Sequence, residues 1–134
     1  HLAVWFLEGR EFRSSNRDPD GPDKTILGTV QKKWLKDTLA KSDATFRIVI
    51  SATPIVGPDR KSKRDNHCNL NFQHEGSELR AFLASQPRTL VICGDRHWQY
   101  ASKDPQAQNG SAQLVIRHYD PRGNITHEDT LEGR

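Results

Sequence analysis

The chain has 134 residues, with 20 Lys or Arg against 17 Asp or Glu and a formal net charge of +3, so it makes one domain at most and carries no charge excess that demands a nucleic-acid partner. Its apolar share of 34% is lean, yet three Trp, five Phe and several compact apolar runs separate it from a disordered chain. No run approaches the ~20 apolar residues of a membrane-spanning helix, and Cys68 and Cys93 are too few for a disulfide scaffold or a thiolate zinc site.

Leu2 to Leu7 is a nearly continuous apolar run and reads as a strand buried on both faces, with Arg10 at or just past its end. Because this run starts almost at His1, the expectation is a chain cut from something longer. Arg13 to Lys24 turns to Ser, Asn, Asp, Pro and Gly, a surface loop by its turn chemistry. Residues 28–41 put Val30, Trp34 and Leu35 on one stripe with Leu39 a turn later, and Lys32, Lys33, Lys36 and Lys41 on the wetter side, the pattern of an amphipathic helix. Phe46 to Ser51 is a second strand, ended by Pro54 and Pro58.

From Asp59 to Gln73 the chain is polar, basic and aperiodic, so long loops are expected near 13–25 and 54–74. Glu75 to Ser85 carries Leu79, Phe82 and Leu83 at helical spacing, closed by Pro87. Thr89 to Cys93 is a third strand that runs into Gly94-Asp95-Arg96-His97-Trp98, and Gln113 to Tyr119 and Asn124 to His127 form a hairpin around Asp120-Pro121-Arg122-Gly123. Strands alternating with helices define an α/β layer with flanking helices.

Ligands of open α/β sheets collect beyond the carboxyl ends of the strands, where Asp95 and His97 fall. With extended backbone, positions i and i+2 share a face, so this carboxylate and imidazole can converge on one cation, with Gly94 easing the turn. Such a pair suits Zn, Fe or Mn. It also occurs as ordinary hydrogen-bonding groups at a loop entry. Arg96 and Trp98 alternate with them, Arg96 as an anion contact or a surface charge and Trp98 as packing. Asp65, Asn66, His67 and Cys68, followed by Asn71 and His74, form a second polar cluster that can supply ligands, orient a substrate or simply be solvated. Arg10 and Arg13 are anion-binding candidates if their strand neighbours the third, and surface charges otherwise.

Glu8-Gly9-Arg10-Glu11-Phe12-Arg13-Ser14, Ile26-Leu27-Gly28 with Gln31 and Trp34-Leu35, Ser51-Ala52-Thr53-Pro54-Ile55, and above all Val91-Ile92-Cys93-Gly94-Asp95-Arg96-His97 resemble, in the right order, the C-terminal part of PhoD-like alkaline phosphatases, a branch of the metallophosphoesterases. The resemblance implies part of a βαβ sandwich with a mixed sheet and flanking helices. It also implies a phosphomonoesterase or phosphodiesterase with a multinuclear centre of divalent or trivalent ions, whether Ca, Fe, Zn or Mn. On it, Asp95 and His97 become metal ligands. Arg10, Arg96, Asn66 and His67 become substrate-binding candidates, and no residue is singled out as catalytic.

The early Asp-x-His, Gly-Asp and Gly-Asn-His blocks of such enzymes have no counterpart in residues 1–134, and Gln106 to Gly110 crosses where a longer Gly-rich stretch is usual. The whole chain is therefore expected to be a single partial domain, inactive alone, whose partner is the N-terminal remainder of the same enzyme. The substrate is a phosphate ester, nucleic acid entering only as a phosphodiester, and the family resemblance points to a periplasmic or extracellular enzyme. The competing expectation is a non-catalytic α/β module that contacts polyanions through Arg60-Lys61-Ser62-Lys63-Arg64.

Overall fold

The computed structural model describes residues 1–56 and 62–95 in full, and the strands 114–119 and 125–131 as backbone. Three parallel strands, β1 (Leu2–Leu7), β2 (Phe46–Ser51) and β3 (Thr89–Cys93), lie in the order β1-β2-β3. Helix α1 (Thr29–Lys41) links the first two, and a 3-10 turn (Leu70–Phe72) leading into α2 (Gln73–Ala84) links the second and third. The α/β class is as expected. The antiparallel component is a separate two-stranded sheet, β4 (Leu114–Tyr119) with β5 (Ile125–Leu131), irregular between His118 and Tyr119.

Strand order that advances in one direction, joined by right-handed crossovers, puts both helices on the same face of the sheet. Burial follows that rule: Trp5 and Leu7 of β1 and Val49 of β2 are buried with Leu35 and Leu39 of α1 and Leu79 and Leu83 of α2. The Trp5 indole N–H donates to Thr38 Oγ1 at 2.9 Å, so the largest core ring keeps its polar edge satisfied. The two helices are also joined through Glu78, which accepts from Lys32 Nζ at 2.8 Å and Lys36 Nζ at 2.5 Å.

The other face overturns the expectation that β1 is buried on both sides. The register aligns Leu2 with Phe46, Val4 with Ile48 and Leu90, and Phe6 with Ile50 and Ile92. Every one of these side chains is apolar, and they are exposed or only half-buried, Phe6 to 71%. The continuous apolar run thus encodes two faces suited to burial, of which α1 and α2 cover one.

Helix α1 is rotated from the expected stripe. Leu35 and Leu39 face the core, but Val30 is 84% and Trp34 43% exposed. The half-buried positions one turn earlier are Gln31 and Lys32. Both are polar with partners there: Gln31 Nε2 donates to Glu8 O at 2.8 Å and Leu27 O at 3.0 Å, and Lys32 reaches Glu78. The helix starts at Gly28, whose φ of 74° and whose missing Cβ, which would lie 2.8 Å from the Phe12 Cβ, leave room for glycine alone.

This orientation fixes what substitutions in α1 should do. Leu39→Ala should destabilise the chain by about 3 kcal/mol through cavity formation. Val30→Ala should change stability by less than about 0.5 kcal/mol, the usual range of a surface substitution. Urea unfolding of the two variants measures both effects, and a large loss in Val30→Ala would contradict the observed rotation.

Candidate functional site

Because β1, β2 and β3 are parallel, their carboxyl ends share one edge. From it leave a first loop (residues 8–28), a second loop (described at residues 52–56 and 62–69) and the Gly94-Asp95 turn after β3, the place where open α/β sheets bind ligands. A cleft of about 410 Å³ lies there, lined by Phe6, Ile50, Ile92, Cys93 and Gly94 among others.

The first loop is a closed structure. Ser14 N–H donates to Thr25 O at 2.7 Å across its neck. The Lys24 ammonium is buried inside, donating to Asp18 O at 2.6 Å and Asn16 O at 3.3 Å, 4.3 Å from the centre of the Phe72 ring. Asp20 accepts from the N–H of His74 at 3.1 Å, giving the first turn of α2 an acidic partner from another loop. Arg13 Nη2 donates to Asn16 Oδ1 at 2.8 Å and to Asp65 O at 2.9 Å, tying this loop to the second one, and its partial burial pulls its pKa below the usual arginine value. Arg10 is exposed. The N–H of Glu11 and that of Arg10 donate to the Glu8 carboxylate, which holds that carboxyl below its ordinary value.

In the second loop the structure places Asn66 and His67 inside. Asn66 Oδ1 accepts from Cys68 N–H at 2.9 Å, and Asn66 Nδ2 donates to Asp65 Oδ1 at 3.2 Å. His67 is 0% exposed, with Nε2 2.9 Å from Glu75 Oε2. A carboxylate only accepts, so Nε2 is the donor. Of the basic run, residues 62–64 are described, and Lys63 pairs with Asp65 at 3.4 Å.

Glu75 is the residue that sequence reading missed. It is 1% exposed and accepts from Thr25 Oγ1 at 2.5 Å, Ile26 N–H at 2.6 Å and His67, with Lys32 Nζ at 3.7 Å. Burial alone pushes its carboxyl up; the bonds from His67, Ile26 and Thr25 outweigh that and bring it from 4.5 down to about 2. The signal was present in the spacing: Glu75 stands four residues before Leu79 and eight before Leu83, on the buried stripe of α2, where a charge requires partners.

The turn after β3 differs from its expected form. Asp95, not Gly94, takes the positive φ, at 62°, and is exposed, so the i, i+2 alternation of a strand stops before it. Gly94 instead allows a close approach: a Cβ there would lie 3.2 Å from Ala52 O, a tight contact. Gly94 N–H donates to Ser51 O at 3.1 Å and Ile55 N–H to Cys93 Sγ at 3.4 Å, so the Ser51–Ile55 segment and the Asp95 turn are stitched together. Arg96 and His97 lie outside the described residues. Among the described residues no three His, Cys, Asp or Glu side chains are grouped to hold a metal ion, and no helix is long and apolar enough to cross a membrane.

A family model described as PhoD-like phosphatase matches residues 1–128. No curated protein and no solved structure gives a significant match.

The Glu75 cluster makes a pH-dependent prediction. Its folded-state pKa lies below the unfolded value, so its stabilisation is fully present above about pH 4.5 and is lost as pH falls toward 2. Glu75→Gln should cost on the order of 3 kcal/mol at neutral pH, and the gap between variant and parent in urea unfolding should close between pH 4.5 and 2. A gap independent of pH would show that the carboxylate is not held as its bonds indicate.

Proposed function

Because the chain belongs to the PhoD-like phosphatase family, we propose that it forms the C-terminal part of a metal-dependent phosphoric ester hydrolase whose centre includes Asp95. The observation that carries the reading is the Asp95 turn itself. An exposed carboxylate is held in a left-handed conformation at the carboxyl edge of a parallel sheet, beside the Ser51–Ile55 segment to which its turn is hydrogen-bonded. Backbone held in such a sparsely populated region concentrates at functional sites.

The fit to a metal is partial among the described residues: Asp95 offers one hard oxygen donor, and no cluster of three donors surrounds it. In the proposal Asp95 and His97 would hold an ion that, when bound, supplies Lewis-acid polarisation of a phosphoryl oxygen and an activated water, with the remaining ligands coming from outside this chain. The chain's own contribution is positional. Gly94 and the Ser51–Ile55 segment set the direction of Asp95, and Arg10, exposed on the loop after β1, would meet a phosphate oxygen only if the substrate reaches across the end of β2. The open apolar face supports the same reading, because a parallel sheet is normally covered on both sides. The rest of the enzyme would supply that second layer.

Two measurements test the proposal. In the intact enzyme, Asp95→Asn should lower metal retention and the hydrolysis of an aryl phosphate by more than about a hundredfold, beyond the loss typical of a residue that only supports a ligand; normal metal content and rate would remove Asp95 from the centre. The 134-residue chain by itself should show no appreciable metal-dependent turnover, and robust turnover would show that it holds a complete site.

A further inference from the structure

Helix α2 is shaped around one residue of the second loop. Glu75 takes the His67 ring at Nε2, and Arg80 Nη1 donates to the His67 carbonyl oxygen at 2.7 Å. Gly76 lies against that same carbonyl, with which any Cβ would collide. His67 is therefore gripped by ring and backbone at once.

The same Arg80 Nη1 also reaches the carbonyl oxygen of Ile55, at 3.1 Å, near the opposite end of the second loop. Its Nη2 is braced by Gln73 Oε1 at 3.1 Å and Ser77 Oγ at 3.2 Å, which fixes the plane of the guanidinium. Ile55 in turn gives its own N–H to Cys93 Sγ, two residues before Asp95. One guanidinium thus joins the two ends of the second loop and, through a single residue, bears on the turn that carries Asp95.

We propose that Arg80 is a positioning residue for Asp95, aligning it with the His67 segment through Ile55 and Cys93. The proposal rests on the reading of Asp95 as a metal ligand. A lysine cannot substitute: a point ammonium on a flexible stem does not reproduce a planar fork that serves four acceptors from two nitrogens. Arg80 touches no substrate and holds no ion, so its effect must appear in how well Asp95 is presented.

The test compares Arg80→Lys with Leu83→Ala, a core truncation on the same helix that leaves every bond of this chain of contacts in place. Both are made in the intact protein. Manganese binding is followed by equilibrium dialysis, and amide hydrogen exchange by mass spectrometry of peptides covering residues 52–56 and 92–95. Arg80→Lys should bind manganese about tenfold more weakly, the size of loss seen when a partner of a metal ligand is removed, and should exchange faster in both peptides. Leu83→Ala should lower the melting temperature while leaving manganese affinity unchanged. Unaltered affinity in Arg80→Lys, or an equal loss in Leu83→Ala, overturns the proposal. Should the parent protein bind no manganese, it is the reading of Asp95 that falls, and the positioning role is then decided by exchange alone: peptides 52–56 and 92–95 unchanged in Arg80→Lys overturn it.

Discussion

A carboxylate cut off from water survives as an ion only if other donors replace the water. Glu75 is in that position, and its donors come from three separate parts of the chain: Thr25 and Ile26 at the end of the first loop, His67 in the second, and Lys32 on α1. The need to satisfy one buried charge therefore decides how the loops at the carboxyl edge lie against each other. The remaining loop contacts build on that arrangement. Arg13 reaches Asp65 in the second loop, Asn71 Nδ2 of the 3-10 turn donates to Asn16 O, and Asp20 meets the first turn of α2, all from the first loop. A stretch whose composition reads as solvated connection is thus rigidly specified, at the end of the sheet where chemistry is placed.

The sheet has the opposite character on its two faces. Toward the helices it is closed and contains the indole of Trp5 and the leucines of both helices. Away from them it offers Leu2, Val4, Phe6, Phe46 and Ile92 to water. A lean apolar composition makes this allocation notable, because so much of the available apolar surface is spent on a face that α1 and α2 do not cover. The cleft at the carboxyl edge is shared between the two, lined by Phe6, Ile50 and Ile92 of the open face, by Cys93 at the end of β3 and by Gly94 of the turn.

The strands and helices were legible because β-branched runs and helical spacing are local signals. So were the loops, whose Pro, Gly, Asn and Asp content marks where regular structure ends. What the sequence concealed was facing. Trp34 was placed in the core by its chemistry, yet the helix turns so that Gln31 and Lys32 can meet their partners, and nothing local reports a partner 46 residues away such as Glu78 for Lys32. The unbroken apolar run of β1 signalled two faces suited to burial without saying how many the chain itself would cover. Within the site, Asp95 was visible from its place after a strand. Arg80 was not, because its acceptors are backbone carbonyls, which any residue possesses. His67 was visible as a residue type, but its enclosure was set by Glu75 and Gly76, whose significance appears only when the loop is folded against α2.

The left-handed backbone at Asp95 acts as a filter on what evolution can place there. Most side chains are disfavoured at φ of 62° by the clash of their Cβ with the backbone, and β-branched ones most of all. Glycine, asparagine and aspartate enter this region most readily, although Arg88 also adopts it at φ of 53°, and of those three only aspartate carries a negative charge. Glutamate, the obvious chemical alternative, would keep the charge at a conformational cost of about 1–2 kcal/mol. Asparagine or glycine at this position would remove the charge with little strain on the backbone, so the turn separates the loss of the charge from the loss of its conformation.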